Sequence, residues 1–269
     1  MKFTKLIEDI RTIRDFKKEE VPEYIIDEII MEAGEALLAG IRNDIDIRFI
    51  KAGEKFYNDL SGKAGYYGKM IEAPHYFLIS SKKFEGYIEN SAYVMEKIRL
   101  KAWNVGLGTC WLTIENEIEL LETLQIHKDF TPVALIAIGY QYKGLFKTDT
   151  SPKSGRLGIE ELVFNKQWGK ICTTEMLETR GISNIIYYAR LAPSWGNQQP
   201  WRFILDDNKI ILTIVDKDKS QHLDAGIVML YFEKVAHEEG INGKWMLDVS
   251  DINKYIMPEE YKAIGYFEI

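Results

Sequence analysis

The sequence predicts a mixed helix-and-strand chain built as two copies of one unit. Three observations carry this. Segments with helical and strand periodicity alternate along the chain. A polar, turn-rich stretch from Gln141 to Gly158 separates two runs with the same order of elements. Particular residues also recur between the runs at steady spacing: Ala102, Gly106 and Trp111 correspond to Ala236, Gly240 and Trp245, an offset of 134 in a chain of 269. Ala33 and Ala36 match Ala189 and Ala192, Arg48-Phe49-Ile50 matches Arg202-Phe203-Ile204, and Ile138-Gly139-Tyr140 matches Ile264-Gly265-Tyr266. The offset falls from 154 at the Arg-Phe-Ile triplet to 134, so the second copy is trimmed by about 20 residues there. Shared secondary structure alone can also produce matches; their order favours a tandem duplication, with halves at residues 1–165 and 166–269.

The elements follow in order. Val21 to Leu38 reads as a helix, with Pro22 in its first turn and Ile25, Ile29, Ala33 and Leu37 on one face. Asp46–Ile50 and Tyr76–Ile79 read as short strands. Ser91–Val105 carries Val94, Ile98, Ala102 and Val105 at helical spacing and stops at Gly106. A short helix over Glu117–Leu124 precedes Val133–Ile138, whose unbroken apolar character marks a buried strand. In the second run, helices are expected over Ile182–Leu191 and Gly226–Glu239. Strands are expected over Trp201–Leu205, Lys209–Val215 and Ala263–Glu268.

Composition narrows the class. With 34 basic against 41 acidic residues the net charge is -7, which argues against a general nucleic-acid binder. Two cysteines, Cys110 and Cys172, cannot build a disulfide scaffold or a four-cysteine zinc site. The four histidines share no metal-ligand spacing, so no metal is expected. Charges within Met1–Asp9 replace the apolar stretch of a signal peptide, and no apolar run approaches ~18 residues. A cytoplasmic protein without membrane association is expected.

Three segments carry chemistry. Arg11-Thr12-Ile13-Arg14-Asp15-Phe16 brings two guanidiniums and a hydroxyl within four residues, enough to converge on one phosphate, although a solvated helix face would look similar. Ala192-Pro193-Ser194-Trp195-Gly196-Asn197-Gln198-Gln199-Pro200-Trp201 is a stiff polar loop flanked by tryptophans, suited to a ring cofactor with polar edges. Val105-Gly106-Leu107-Gly108-Thr109-Cys110-Trp111-Leu112 follows a helix. Its glycines serve either as a cap and turn or as a place of close backbone approach to a ligand. It is no dinucleotide fingerprint, because no strand precedes it and no helix follows. Cys110 reads as a small buried hydrophobe rather than a nucleophile.

Together these segments resemble the FMN-dependent nitroreductase family. The first is similar to the family's R-S-x-R-x-F, with Thr12 for Ser, and Ala192-Pro193-Ser194-x-x-Asn197-x-Gln199-Pro200-Trp201 is similar to its A-P-S-x-x-N-x-Q-P-W. Gly106–Trp111 resembles its G-L-G-T-x-W loop, Lys69–Pro74 the segment whose Lys nears the pyrimidine edge, and Arg156–Glu160 a basic segment that returns to the phosphate. Ile10 stands where many relatives carry a further Arg. The resemblance implies an α+β nitroreductase-like fold: a mixed, mostly antiparallel sheet flanked by helices, duplicated as a pseudo-dimer. Each half lacks motifs that the other retains, which implies one FMN at the interface of the halves and a monomer or weak homodimer.

On the same resemblance, Arg11, Thr12, Arg14 and Arg156 clamp the phosphate and Lys69 lies by the ring. Pro193, Ser194, Asn197 and Gln199 contribute from the second half, and Trp111 and Leu112 pack on the flavin. No side chain is assigned as catalytic. NAD(P)H donates electrons and leaves before a small acceptor such as a nitroaromatic or quinone arrives. A flavin-binding sensor or carrier without turnover is the other class; reductive dehalogenation or flavin breakdown on this scaffold is a third.

Overall fold

The computed structural model describes residues 2–144, 155–248 and 255–269. The chain divides into two compact units: a first unit, Asp9–Pro152, and a second, Met1–Glu8 with Lys153–Ile269. These are groupings by contact, whereas the halves expected from the sequence at residues 1–165 and 166–269 rest on recurring residues. Helix α1 (Phe3–Asp9) explains the non-contiguous membership of the second unit. The free N–H groups of Phe3 and Thr4 at its start donate to the Glu238 carboxylate, Phe3 packs edge-on against Tyr231 at 5.6 Å, and the Tyr188 hydroxyl donates to Glu8 at 3.1 Å.

The first unit is organised by two apolar strands, β3 (His75–Ser81) and β5 (Thr131–Gly139), both buried along their whole length. The chain reaches them through α2 (Glu23–Gly34), β1 (Ile45–Ile50), α3 (Gly53–Asp59) and β2 (Ala64–Gly65). After β3 come α4 (Tyr87–Asn104), β4 (Gly108–Ile114) and α5 (Glu117–Thr123). The sheet order is β1-β3-β5-β4-β2 with every pair antiparallel, and α2 packs on α4. Helix α2 is shorter than its periodicity predicts. The amides of Leu38 and Ala39 donate to Asn90 Oδ1 at 2.9 and 3.1 Å, and Lys97 Nζ reaches the Ala33 and Ala36 carbonyls. The backbone groups that would extend the helix are satisfied by side chains of α4 instead.

In the second unit α6 (Ile159–Leu162), β6 (Val163–Asn165), α7 (Thr174–Thr179) and α8 (Ser183–Ala189) precede the hairpin β7 (Trp201–Asp206) and β8 (Lys209–Val215). Helix α9 (Lys219–Glu238) then leads to β9 (Trp245–Met246) and β10 (Tyr261–Glu268). The sheet order is β6-β7-β8-β10-β9, with β6 parallel to β7 and the other pairs antiparallel. Phe203, Phe232, Trp245 and Phe267 form an aromatic core cluster with centroids 5.1–5.8 Å apart, in tilted and edge-on pairs. Helix α9 begins seven residues before the predicted start, because Asp218 and Gln221 form a capping box: the Ser220 amide donates to Asp218 at 2.7 Å and the Asp218 amide to Gln221 Oε1 at 2.9 Å.

Both units are therefore of the α+β class, mixed and mostly antiparallel, with helices flanking the sheets. Set side by side, β1-β3-β5-β4 and β7-β8-β10-β9 have the same order, with α2 and α4 answering to α8 and α9. The ends of α4 and α9 also agree in detail. Gly106 and Gly240 take φ of 86° and 89°, Leu107 and Ile241 donate to Ala102 and Ala236 at 2.8 Å, and each glycine amide closes the inner bond of a Schellman turn.

Candidate functional site

The basic segment of the first unit is extended, not helical, which removes the solvated-helix-face reading. Ile10 and Ile13 turn inward at 8% and 3% exposure, leaving Arg11, Thr12 and Arg14 half-buried between them. Thr12 bridges Thr109 of β4, and the Ile13 amide donates to the Thr109 carbonyl at 2.9 Å. Farther on, Lys17 donates to Tyr140 at 2.8 Å and Tyr142 to Asp15 at 2.9 Å. Residues 12–17 are thus strapped along strand ends by backbone bonds, with Ile10 as a buried apolar anchor.

Arg14 and Lys69 meet at Tyr66. The Arg14 Nη2 donates to the Tyr66 hydroxyl at 2.8 Å, with the guanidinium carbon 4.4 Å from the ring centroid. Tyr66 and Lys69 close a two-residue turn through Tyr67 (φ 50°) and Gly68 (φ 76°), with backbone bonds of 2.8 and 3.2 Å. Positive φ at both central positions is the type I′ geometry that suits a tight hairpin. Lys69 is exposed at this turn. The Arg11 Nη1 donates to the Ile10 carbonyl at 2.7 Å.

The glycine segment needs correction: it is not a loop throughout. From Gly108 it forms β4, paired with β5 from Gly108↔Gly139 to Leu112↔Leu135. Gly108 is required by packing, since a Cβ there would lie 2.6 Å from Ile13 Cγ1. Alternation along a strand sends Trp111 and Leu112 to opposite faces, so they cannot both lie on one flavin ring. Leu112, 5% exposed, belongs to a core cluster with Leu60, Tyr76 and Leu135. Trp111 is half-buried, and its indole N–H donates to Glu96 Oε2 at 2.9 Å, while Arg99 Nη1 donates to Glu96 Oε1 at 2.7 Å. Glu96 and Arg99 are 0% and 4% exposed, a buried ion pair that sequence reading passed over. Two charges three residues apart, set among Val94, Met95, Ile98 and Leu100, were the available signal.

In the second unit the A-P-S loop is stiff because three residues in succession or near it are left-handed: Gly196 (φ 56°), Asn197 (φ 58°) and Gln199 (φ 50°). Its shape is held from inside. The Gln199 amide donates to Ser194 Oγ at 2.9 Å and the Asn197 amide to the Ser194 carbonyl at 3.0 Å, beside a half-buried Pro193. Two of the loop's side chains, Asn197 and Gln199, grip the chain at 155–157. Asn197 Nδ2 donates to the Gly155 carbonyl at 2.9 Å, and Asn197 Oδ1 accepts from Arg156 Nη1. Gln199 Oε1 accepts from the Leu157 amide at 2.8 Å, and Arg156 Nη2 donates to the Leu191 carbonyl at 3.1 Å. Most of the connection predicted over 141–158 lies outside the described residues, and the loop fixes its described end.

Asp224 holds the loop from below. It is 4% exposed on α9, and its two oxygens accept the Trp195 amide at 3.0 and 3.2 Å. Burial pushes its carboxyl well above the ordinary carboxylate range, against the pull of the Trp195 bond and with a further push from Asp218. An acid just ahead of the apolar run Ala225–Phe232 was the only sequence signal for it. Among the described residues no group of His, Cys, Asp and Glu could hold a metal ion, and no helix is long and apolar enough to cross a membrane.

A cationic strap, an adjoining hairpin lysine and a rigid A-P-S loop on α+β units define an oxidoreductase of the nitroreductase type. The chain belongs to the family described as "Putative TM nitroreductase", which matches residues 2–236. A solved "putative nitroreductase" from Thermotoga maritima shares its fold, with a TM-score of 0.64, 18% identity, and coverage of 100% of this chain and 94% of that one. An FMN-dependent nitroreductase from Clostridium difficile is 24% identical, covering 52% and 87% of the two chains at a TM-score of 0.46. A nitroreductase family protein from Clostridium novyi is 22% identical, covering 64% and 97% at 0.47. No curated protein matches the chain.

Proposed function

We propose that the protein is an FMN-dependent oxidoreductase that takes electrons from NAD(P)H and passes them to a nitroaromatic, quinone or similar small acceptor, the donor leaving before the acceptor binds. One observation carries the reading: Arg11, Thr12 and Arg14 stand on a strap bound to β4, with Arg14 and Lys69 joined through Tyr66. The donor set fits a phosphate-bearing anionic group. Two guanidiniums and a hydroxyl suit the phosphate, and Lys69 adds a positive charge on the neighbouring turn. When bound, FMN supplies the two-electron redox chemistry.

The chain's own residues bind and orient. Arg11, Thr12 and Arg14 hold the phosphate, and Lys69 lies at the pyrimidine edge, where positive charge favours an electron-rich ring. Trp111 remains a candidate for the ring face, while Leu112 serves the core. Asn197 holds Arg156, Gln199 holds the Leu157 amide and Ser194 holds the turn of the loop, so that in this reading the loop presents the Arg156 segment to the cofactor. The basic strap and the A-P-S loop each occur once in the sequence, which supports one FMN per chain. The shared strand order and matching helix ends support duplication of an ancestral unit.

The visible spectrum of the purified chain, with flavin-to-chain stoichiometry, tests cofactor and count together. A value near one supports the proposal, and a value near two overturns the single site. Steady oxidation of NADH or NADPH with menadione or nitrofurazone tests turnover. Retained flavin without such oxidation would make the protein a flavin carrier or sensor.

A further inference from the structure

The second unit contains a cleft of about 130 Å³ beside the A-P-S loop, lined among others by Gln198, Arg202, Val215, Lys217, Gln221 and Tyr261. Its charge is one-sided. Arg202 and Lys217 have no ion-pair partner among the described residues. The acids nearest in sequence to Lys217 are occupied: Asp216 by His222 at 2.9 Å and Lys262 at 3.8 Å, Asp218 by the Ser220 amide at 2.7 Å.

Arg202 is held in place by Nη1, which donates to the Trp201 and Gln199 carbonyls at 2.6 and 3.2 Å, leaving the rest of the guanidinium without a hydrogen bond among the described residues. The first unit makes the contrast. There the matching Arg48 has a carboxylate, Asp46, at 3.5 Å, and the matching position before Arg202 is Pro200. Gln221 is 5% exposed, and its oxygen is fixed by the Asp218 amide at 2.9 Å. That bond settles the orientation of the carboxamide, so its nitrogen is a donor with no hydrogen bond among the described residues, and the residue lines the cleft. The N-terminus of the 20-residue helix α9 adds favourable potential for an anion.

We infer that this cleft binds a phosphoryl dianion, gripped by the Arg202 guanidinium, the Lys217 ammonium and the Gln221 amide. A monocarboxylate would use two of these donor groups, whereas a tetrahedral oxyanion offers an oxygen to each. The ligand is either free phosphate or the phosphate of a nucleotide. All the lining residues lie in the second unit and none belongs to the strap, so the inference does not depend on the flavin reading.

The test is calorimetric titration of inorganic phosphate into the purified full chain, with sodium chloride at matched ionic strength as control. Saturable binding is expected, weakened about tenfold in Lys217→Gln and lost in Lys217→Gln/Arg202→Gln. Because Arg202 also ties down the loop backbone, Gln221→Leu serves as a second single variant, expected to weaken phosphate binding severalfold. Arg14→Ala, which removes the strap as a second phosphate site, is expected to leave the Lys217-dependent component of binding unchanged. Wild-type affinity in both Lys217→Gln and Gln221→Leu, an equal signal from sodium chloride, or a loss confined to Arg14→Ala would overturn the site. Adenosine 2′,5′-bisphosphate distinguishes the sources: tighter binding than phosphate, with the same Lys217 dependence, assigns a nucleotide, and no gain assigns free phosphate.

Discussion

The two units share a strand order and end their long helices in the same way, yet they use buried polar groups differently. In the first unit Trp111 gives its indole N–H to Glu96, itself paired with Arg99 inside α4. In the second the matching Trp245 gives its N–H to the Met229 backbone carbonyl at 2.9 Å, and no charge pair is needed. The first unit holds Arg14 against the Tyr66 hydroxyl beside a backbone-bonded strap, whereas the second ties Arg156 into an amide-braced loop. Two units that share a four-strand order can thus differ in where a few polar partners are placed.

The comparison can be broken most sharply at Glu96. Glu96→Ala removes the buried carboxylate that accepts from both Arg99 and the Trp111 N–H, which is expected to cost about 3–5 kcal/mol by chemical denaturation. A loss below about 1 kcal/mol would mean that the first unit does not depend on the pair. Next in size is Arg14→Ala, expected to weaken FMN binding by roughly 1.5–3 kcal/mol, the worth of a charge-assisted bond. Flavin retention equal to wild type would take Arg14 out of the site.

Smaller, and a direct measure of likeness, are Gly106→Ala and Gly240→Ala. Neither Cβ meets an atom within 4 Å, so each should lose only the cost of a left-handed alanine, about 1 kcal/mol. Losses that differ by more than about 1 kcal/mol would show that the two turns are not energetically alike.

The last effects are slopes. Burial lowers the pKa of His75, whose Nε2 accepts from the Val21 amide at 3.1 Å while Nδ1 faces the Lys51 carbonyl at 3.1 Å. The unfolded form therefore binds the proton more readily, and stability falls as pH drops below its ordinary value of 6.5. For Asp224 the sign is opposite: its raised pKa favours the protonated folded form, so stability falls as pH rises above 3.8 toward the folded value. His75→Gln should flatten the acid-side slope and Asp224→Asn the other. Unfolding free energy against pH checks both, and an unchanged slope in either variant removes that residue as its cause.

Much of this architecture was legible. Continuous apolar runs located β3, β5 and β8, and Gly106 and Gly240 marked helix ends, because burial and left-handed φ are written in residue type. The basic strap was also visible as a motif, though its extended form depends on Thr109, nearly a hundred residues away. What escaped was set by partners distant in sequence. Asn90 and Lys97 shorten α2, Ile13 demands Gly108, and the Gly155–Leu157 segment occupies the amides of Asn197 and Gln199. Local pattern shows that such groups are polar; it does not show which partner takes them.

The docking of α1 on α9 has a consequence for synthesis. Phe3 leaves the ribosome before its acceptor Glu238, which lies 235 residues later. At about 5–20 residues per second, α1 waits roughly 10–50 s for its partner. The first unit is contiguous and can close as soon as residue 152 clears the exit tunnel. In the second, α1 cannot dock until α9 has been made, and β10 must still enter between β8 and β9. A fusion placed ahead of Phe3 therefore burdens a late folding step of the second unit, not the closing of the first.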